Sequence, residues 1–313
     1  MGSATEKASP DKPGKSPNRV CYGQQEYAST PAMNSEPALK PEFYLSLDAA
    51  NPRQAEKALA DLRDGLSQWR LALALARLEL RNRYRGSVLG PVWMSLSTLI
   101  MLIGLGLLYG KLFKLELSDY LPHLAVTLII WQWISTFIIE SCSTMINAEG
   151  VIRQMRLPYT LHALRTAFRN TLVAAHSLPL ILVVFLVFGR MPGPEAFLAI
   201  FGFLLIGINM IAAGLLLGMM CARFRDIPSL VANAVQLAFF ITPILWKPEL
   251  LGDAMVWMAL NPFYALLETI RGPLVEGGGP LLAWVAALFY TTLNVVLAGV
   301  IFARFRARIA FWV

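Results

Sequence analysis

Six apolar segments constrain this chain more than any other feature: Val88–Phe113, Leu121–Ile139, Leu172–Phe188, Ala196–Cys221, Leu230–Trp246 and Leu281–Phe302. A helix rises about 1.5 Å per residue and a bilayer core is roughly 30 Å thick, so runs of about 17 to 26 residues can cross it. The first run is the clearest. It follows an arginine-rich patch at Arg81, Arg83 and Arg85, turns through Gly86, Gly90 and Pro91, and carries no charge until Lys111. Composition agrees with a lipid solvent. The chain is 56% hydrophobic and 15% charged, with a mean hydropathy of +0.55, whereas a soluble domain carries about 25% charged residues. The expected fold is an all-α membrane protein with six transmembrane helices.

Six crossings put both termini on one side, and the loop charges say which. One set of loops holds Arg81, Arg83, Arg85, Arg153, Arg156, Arg165, Arg169, Arg223, Arg225, Arg304, Arg306 and Arg308; the other holds Lys111, Lys114, Arg190, Lys247 and Arg271. Twelve cations against five place the termini in the cytoplasm. The net charge of +7 is therefore read as a topology signal and as contact with lipid headgroups. No base-stacking or groove-reading motif accompanies it, so nucleic acid is not an expected partner. Cys21, Cys142 and Cys221 form no CxxC pair, and His123, His162 and His176 lack metal-ligand spacing. No metal site is expected.

Residues 1–52 are rich in Ser, Pro, Ala, Lys and Glu and contain no apolar run, a composition that predicts disorder. Ser9–Ser16, SPDKPGKS, ends like a phosphate-binding loop. Its first glycine is replaced by Ser9, two prolines interrupt it, and no strand or helix flanks it. Residues 53–84 read as an amphipathic helix. Leu59, Leu62, Leu66, Trp69, Leu73, Ala76 and Leu80 recur at spacings of three and four, with Arg63, Arg70 and Arg77 on another face. Because it abuts a span, it is expected to lie on the cytoplasmic leaflet. Residues 85–313 form the transmembrane domain.

Two connections look like more than connectors. Asn147–Arg169 is short and basic, and is expected to be helical up to Leu157, where Pro158 would stop it. A short helix projecting there can dock into another protein. Lys247–Gly279 carries apolar periodicity cut by Pro262, Pro273 and a glycine run. Neither half can span, so two short helices re-entering the outer leaflet are expected.

The spans hold almost no ionisable groups: His176 in the third and Glu140 at the inner end of the second. Intramembrane charges mark proton relays and ion-coupled carriers, so their scarcity argues against both. Glu140 reads as a cap or as the partner of an arginine rather than as a catalytic acid, which would need a positioned partner. No catalytic residues are expected. Aromatic residues cluster near the span ends: Trp93, Tyr109, Trp131, Trp133, Phe137, Phe239, Phe240 and Trp246. They fit an interfacial belt, internal packing, or a path on which sugar rings stack, and periodicity does not choose among these. The pairs Gly106/Gly110 and Gly214/Gly218 allow close helix approach, within the chain or between two copies.

Four ordered motifs resemble one known family. Arg83–Phe113, RYRGSVLGPVWMSLSTLIMLIGLGLLYGKLF, is similar to the first membrane segment of ABC-2 type permease subunits of the polysaccharide exporters. Arg153–His176, RQMRLPYTLHALRTAFRNTLVAAH, resembles their cytoplasmic loop and third helix. Ile241–Leu251 and Asn261–Val275 resemble their external gate. The likeness runs from about Gln68 to the last residue and is strongest for the branch exporting O-antigen, capsule or teichoic-acid-type polymers; residues 1–52 lie outside it. It implies a bacterial inner-membrane permease that works as a homodimer with two copies of a separate ATPase. ATP and Mg would be bound by that ATPase, and this chain would carry no cofactor. Glu149, Arg153, Arg156 and Leu157 would couple to the ATPase. Trp93, Tyr109, Trp131, Trp133, Phe137, Phe239 and Phe240 would be candidates for the glycan path. Trp246, Pro262, Phe263 and Tyr264 would belong to the external gate, and the cargo would be a lipid-linked polysaccharide.

Three other readings stay open on the sequence. A membrane glycan-processing enzyme would turn over a sugar donor without an ATPase. A passive channel or carrier would transport without one. An ABC-2 exporter of drugs or lipids would leave the surface polymer intact when its gene is lost.

Overall fold

The structure, a computed structural model, describes residues 54–88, 90 and 92–313. The expected disorder over 1–52 and the phosphate-loop look-alike lie outside the described residues. Among the described residues the chain is all helical, with no strand. Two helices, α1 (Gln54–Ser67) and α2 (Trp69–Arg83), precede the first span. The spans long and apolar enough to cross a bilayer are α3 (Val92–Phe113), α4 (Leu117–Ser141), α6 (Tyr159–Val187), α7 (Leu198–Arg223) and α10 (Leu281–Phe305). Between them lie α5 (Glu149–Gln154), α8 (Ile227–Ile241) and α9 (Pro262–Arg271), and α11 (Ile309–Trp312) follows.

The helix α4 is the axis of the bundle. In its most apolar stretch 67% of residues are buried, against 17% for α3. Its Trp131, Trp133, Ile134 and Phe137 sit in a core completed by α6, α7, α9 and α10. The largely exposed α3 presents its apolar side chains outward, as a helix in lipid can. At its start Gly86 and Gly90 adopt positive φ of 87° and 54°, a conformation that favours glycine. These two residues make the corner that the sequence places between the amphipathic helix and the first span.

Four boundaries differ from the sequence expectation, each for a local reason. The single amphipathic helix is two helices broken at Gln68. Their buried line is Ala58, Asp61, Gly65, Ala72 and Ala76, which packs on α6 and α10, while Leu59, Leu66 and Trp69 are left exposed. Small residues let these helices approach the bundle closely, and of the bulky stripe Leu62 packs inward while Leu59, Leu66 and Trp69 face away. The third span starts at Tyr159, because Arg165 and Arg169 find partners on helical spacing instead of ending the helix. Pro158 therefore opens α6, and α5 has already stopped at Gln154, where Met155 turns extended. The fifth apolar run is not a helix up to Trp246. Thr242 is extended ahead of Pro243, as a residue before proline favours, so α8 has 15 residues. That is about 22 Å of helix, short of a roughly 30 Å core.

The region from Pro248 to Glu276 is a bent pair. A 3-10 segment over Pro248–Leu260, broken at Gly252, meets α9 and a π turn (Gly272–Glu276) at 111°. Asn261 caps α9 by accepting from the amides of Phe263 and Tyr264, and Pro262 occupies the first helical turn.

Candidate transport path and coupling surfaces

At the arginine-rich end, α2, α4 and α6 meet around two carboxylates. Glu79 forms an ion pair with Arg165, whose Nε lies 3.0 Å away, and accepts from Arg169 at 2.6 Å. Glu140 accepts from Arg83 at 2.9 Å, Arg169 at 2.7 Å and the Asn170 amide at 2.7 Å. Arg169 thus bridges the two carboxylates across three helices. The groups border a polar cleft of about 580 Å³ whose walls include Asn82, Ser143 and Asn147. Glu140 does what its position in the sequence suggests, pairing with arginines. Glu79 completes the network without having stood out in the sequence.

The same end carries the segment expected to couple to a partner. Glu149 and Arg153 pair at 2.8 Å across one turn of α5, and Arg153 also donates to the Val313 carbonyl at 2.6 Å. Arg156 is exposed on the extended linker between α5 and α6. Leu157 is half-buried and packs against Ala72, Leu161 and Leu164. Three of the four expected residues are therefore polar groups on or beside a short helix, and the fourth anchors the linker.

The opposite end contains a structure that the apolar pattern concealed. Residues 242–245 leave helical geometry; Thr242, Pro243 and Ile244 are buried there and Leu245 is half-buried. Non-helical backbone at that depth needs protein partners for its polar groups. It has them. Tyr120 donates to the Leu245 carbonyl at 2.6 Å, Arg271 to the Pro243 carbonyl at 3.2 Å, and the Asn261 amide to Thr242 Oγ1 at 2.9 Å. Arg271, counted among the loop cations in the sequence, is fully buried. Its charge is met by Glu268 one turn earlier and by Glu276 at 3.3 Å, and its guanidinium lies 5.7 Å from the Tyr264 ring centroid. His123 on α4 lies 3.9 Å from Glu276.

The aromatic residues separate into two groups. Trp131, Trp133 and Phe137 are buried within the protomer. Trp131 packs against Phe239 at 6.0 Å and edge-on against Phe263 at 5.4 Å, which joins α4 to α8 and to α9. Trp93 and Phe240 are exposed, and Tyr109 and Phe239 are half-buried. Trp246, just before the bent pair, and Phe263 within it are half-buried, Pro262 is exposed and Tyr264 is buried. On α8, Ser229, Asn233, Gln236 and Phe240 are spaced four, three and four residues apart, and all are exposed. An amide facing hydrocarbon without a partner costs about 2–7 kcal/mol. That face of α8 suits a polar neighbour better than lipid.

These features define a multi-pass helical membrane protein with a polar, ion-paired cleft at one end and a buried, ion-paired hairpin at the other. Residues 70–275 match the ABC-2 type transporter family. The chain belongs to that family, and is a transport membrane subunit of the bacterial inner membrane. It is similar to an O-antigen export system permease protein RfbA of Myxococcus xanthus, 27% identical over 215 residues that cover 67% of this chain and 83% of the relative. Two proteins of the same description from Klebsiella pneumoniae are 24% and 21% identical, over 250 and 246 residues. Each of those alignments covers 77% of this chain and 93% of the relative.

Proposed function

We propose that this chain is the permease subunit of an ATP-driven exporter that moves a lipid-linked polysaccharide, of O-antigen or capsule type, out of the cytoplasm. The observation that carries the reading is the likeness, along most of the chain, to relatives described as O-antigen export permeases. In this proposal two copies of the chain enclose the path, and two copies of a separate ATPase bind at the α5 end, which faces the cytoplasm together with both termini. The segment from Glu149 to Leu157 meets the ATPase. The exposed polar face of α8, with Phe240 at its end, lines the path, where amides hydrogen-bond hydroxyls and an aromatic ring stacks on passing sugars. The bent pair over Pro248–Glu276 closes the outer end between transport cycles. The mechanism is mechanical: nucleotide-driven motion of the ATPase shifts α5, and α6 carries that shift along the bundle.

The test is deletion of the gene with complementation. Loss of surface polymer with intracellular build-up of the lipid-linked glycan, restored by this chain only together with an active ATPase partner, is the expected result. Normal surface polymer after deletion would reject a polysaccharide cargo and favour lipid or drug export. Restoration without any ATPase would reject the ATP-driven mechanism.

A further inference from the structure

We infer that Asp61 is a positioning residue for transport: it yokes α1 to the head of α6, so that α1 travels with the segment that follows α5. The inference rests on the proposed role of α5 as the contact with an ATPase. Its structural basis is independent of that role.

The first turn of a helix leaves backbone N–H groups without intrahelical partners. A local side chain usually satisfies them. At the head of α6 the N-cap residue is Pro158, which offers no side-chain cap. The cap comes instead from α1. Asp61 accepts from the amides of Tyr159 and Thr160 at 3.2 and 3.0 Å, and from Thr160 Oγ1 at 2.9 Å. A fourth bond arrives from Arg306 Nε at 2.9 Å, beyond the end of α10. The Asp61 side chain is fully buried. It lies at the positive end of the α6 dipole and against a guanidinium, both of which favour its charge there.

Packing closes the same joint. One turn further along α1, a Cβ added at Gly65 would stand 2.6 Å from Thr160 Cβ. The two helices meet there with no space for a side chain between them. Close-packed contacts of this kind transmit displacement rather than absorb it. The linker 155–158 connects α5 directly to the capped turn, so a shift of α5 reaches α1 through Asp61. The amphipathic pair α1–α2, on this view, is driven by the coupling segment and does not float independently on the bilayer.

The experiment uses the full chain with its ATPase partner, the native Cys21, Cys142 and Cys221 replaced by alanine, and cysteines placed at Leu62 and Tyr159. Asp61→Ala should lower export about tenfold, within the range of coupling between distant sites. ATPase turnover and the amount of folded complex should stay near wild type. Asp61→Asn, which keeps an acceptor for the α6 amides, should retain most export. Bridging positions 62 and 159 with a short bismaleimide should leave the unmutated protein active and should restore export to Asp61→Ala, a rescue that a general folding defect would not show. Normal export by Asp61→Ala, or arrest of the unmutated protein by the bridge, would overturn the inference. Failure of the polysaccharide reading is a separate result: the unmutated chain exports no polymer, yet Asp61→Ala still lowers the bridging yield, which supports the yoke.

Discussion

Arg271 shows how much one buried side chain can organise. Its guanidinium serves the Pro243 carbonyl and two carboxylates at once. Removing one member of such a cluster leaves buried charge uncompensated, so Arg271→Met should cost about 3–5 kcal/mol. A thermal melt of the detergent-extracted protein, followed by size-exclusion chromatography, checks this. An unchanged melting temperature would show that the cluster does not hold the hairpin. The double variant Glu268→Leu with Arg271→Met should recover part of the loss, because it removes the orphaned carboxylate as well. Parts of this cluster were legible beforehand. Glu268 and Arg271 stand three apart, a helical pairing distance. The reason for burying them was not legible, because the Pro243 carbonyl reaches Arg271 only through the tertiary fold. Asp61 was hidden for a similar reason. It lies on the line of Ala58 and Gly65, a stripe of small residues beside the leucines that dominated the periodicity.

At the scale of elements, composition located the helices and proline set their ends. The apolar run up to Trp246 outweighed Pro243 in the sequence reading, although proline and the residue before it resist helix. Arg165 and Arg169 made the head of α6 look like a loop, although their spacing of four puts both on one helix face toward Glu79. Two element-level predictions follow from the geometry. Replacing Asn233 and Gln236 together by leucine should leave membrane insertion intact and reduce export about tenfold if that face meets the cargo, since removing hydrogen-bond partners from a polar path costs about 1–3 kcal/mol. Full export by the leucine pair, measured as surface polymer, would place the face against lipid or another apolar surface. On the α5 linker, Arg156→Glu should uncouple ATP hydrolysis from export by reversing a charge at the proposed docking surface. Unchanged export and unchanged ATPase stimulation would sink that role.

For the whole molecule, the sequence was sufficient for the class and the family but not for the working assembly. Long apolar runs and four ordered motifs are local, and they survive in any single chain. A path shared between copies depends on which faces meet. In the proposed assembly, the exposed polar face of α8 is the part of one protomer assigned to that path. The proposed assembly predicts that the chain, purified with its ATPase and reconstituted, moves a lipid-linked glycan only with hydrolysable ATP. Movement driven by an ion gradient alone, read by protection of the glycan from an external enzyme, would contradict it.

The buried bend after α8 also dictates an order of assembly. Pro243 and Leu245 leave the ribosome before Arg271, which must later supply one of their hydrogen bonds. Tyr120 is already in place to supply the other. A nascent chain that ends near Lys247 therefore holds a half-finished turn in an apolar setting, with one carbonyl still waiting. Biogenesis of this half of the bundle cannot be completed span by span. It is finished when the hairpin folds back, and a truncation between Lys247 and Arg271 should be cleared by membrane proteases although every residue of α8 is present.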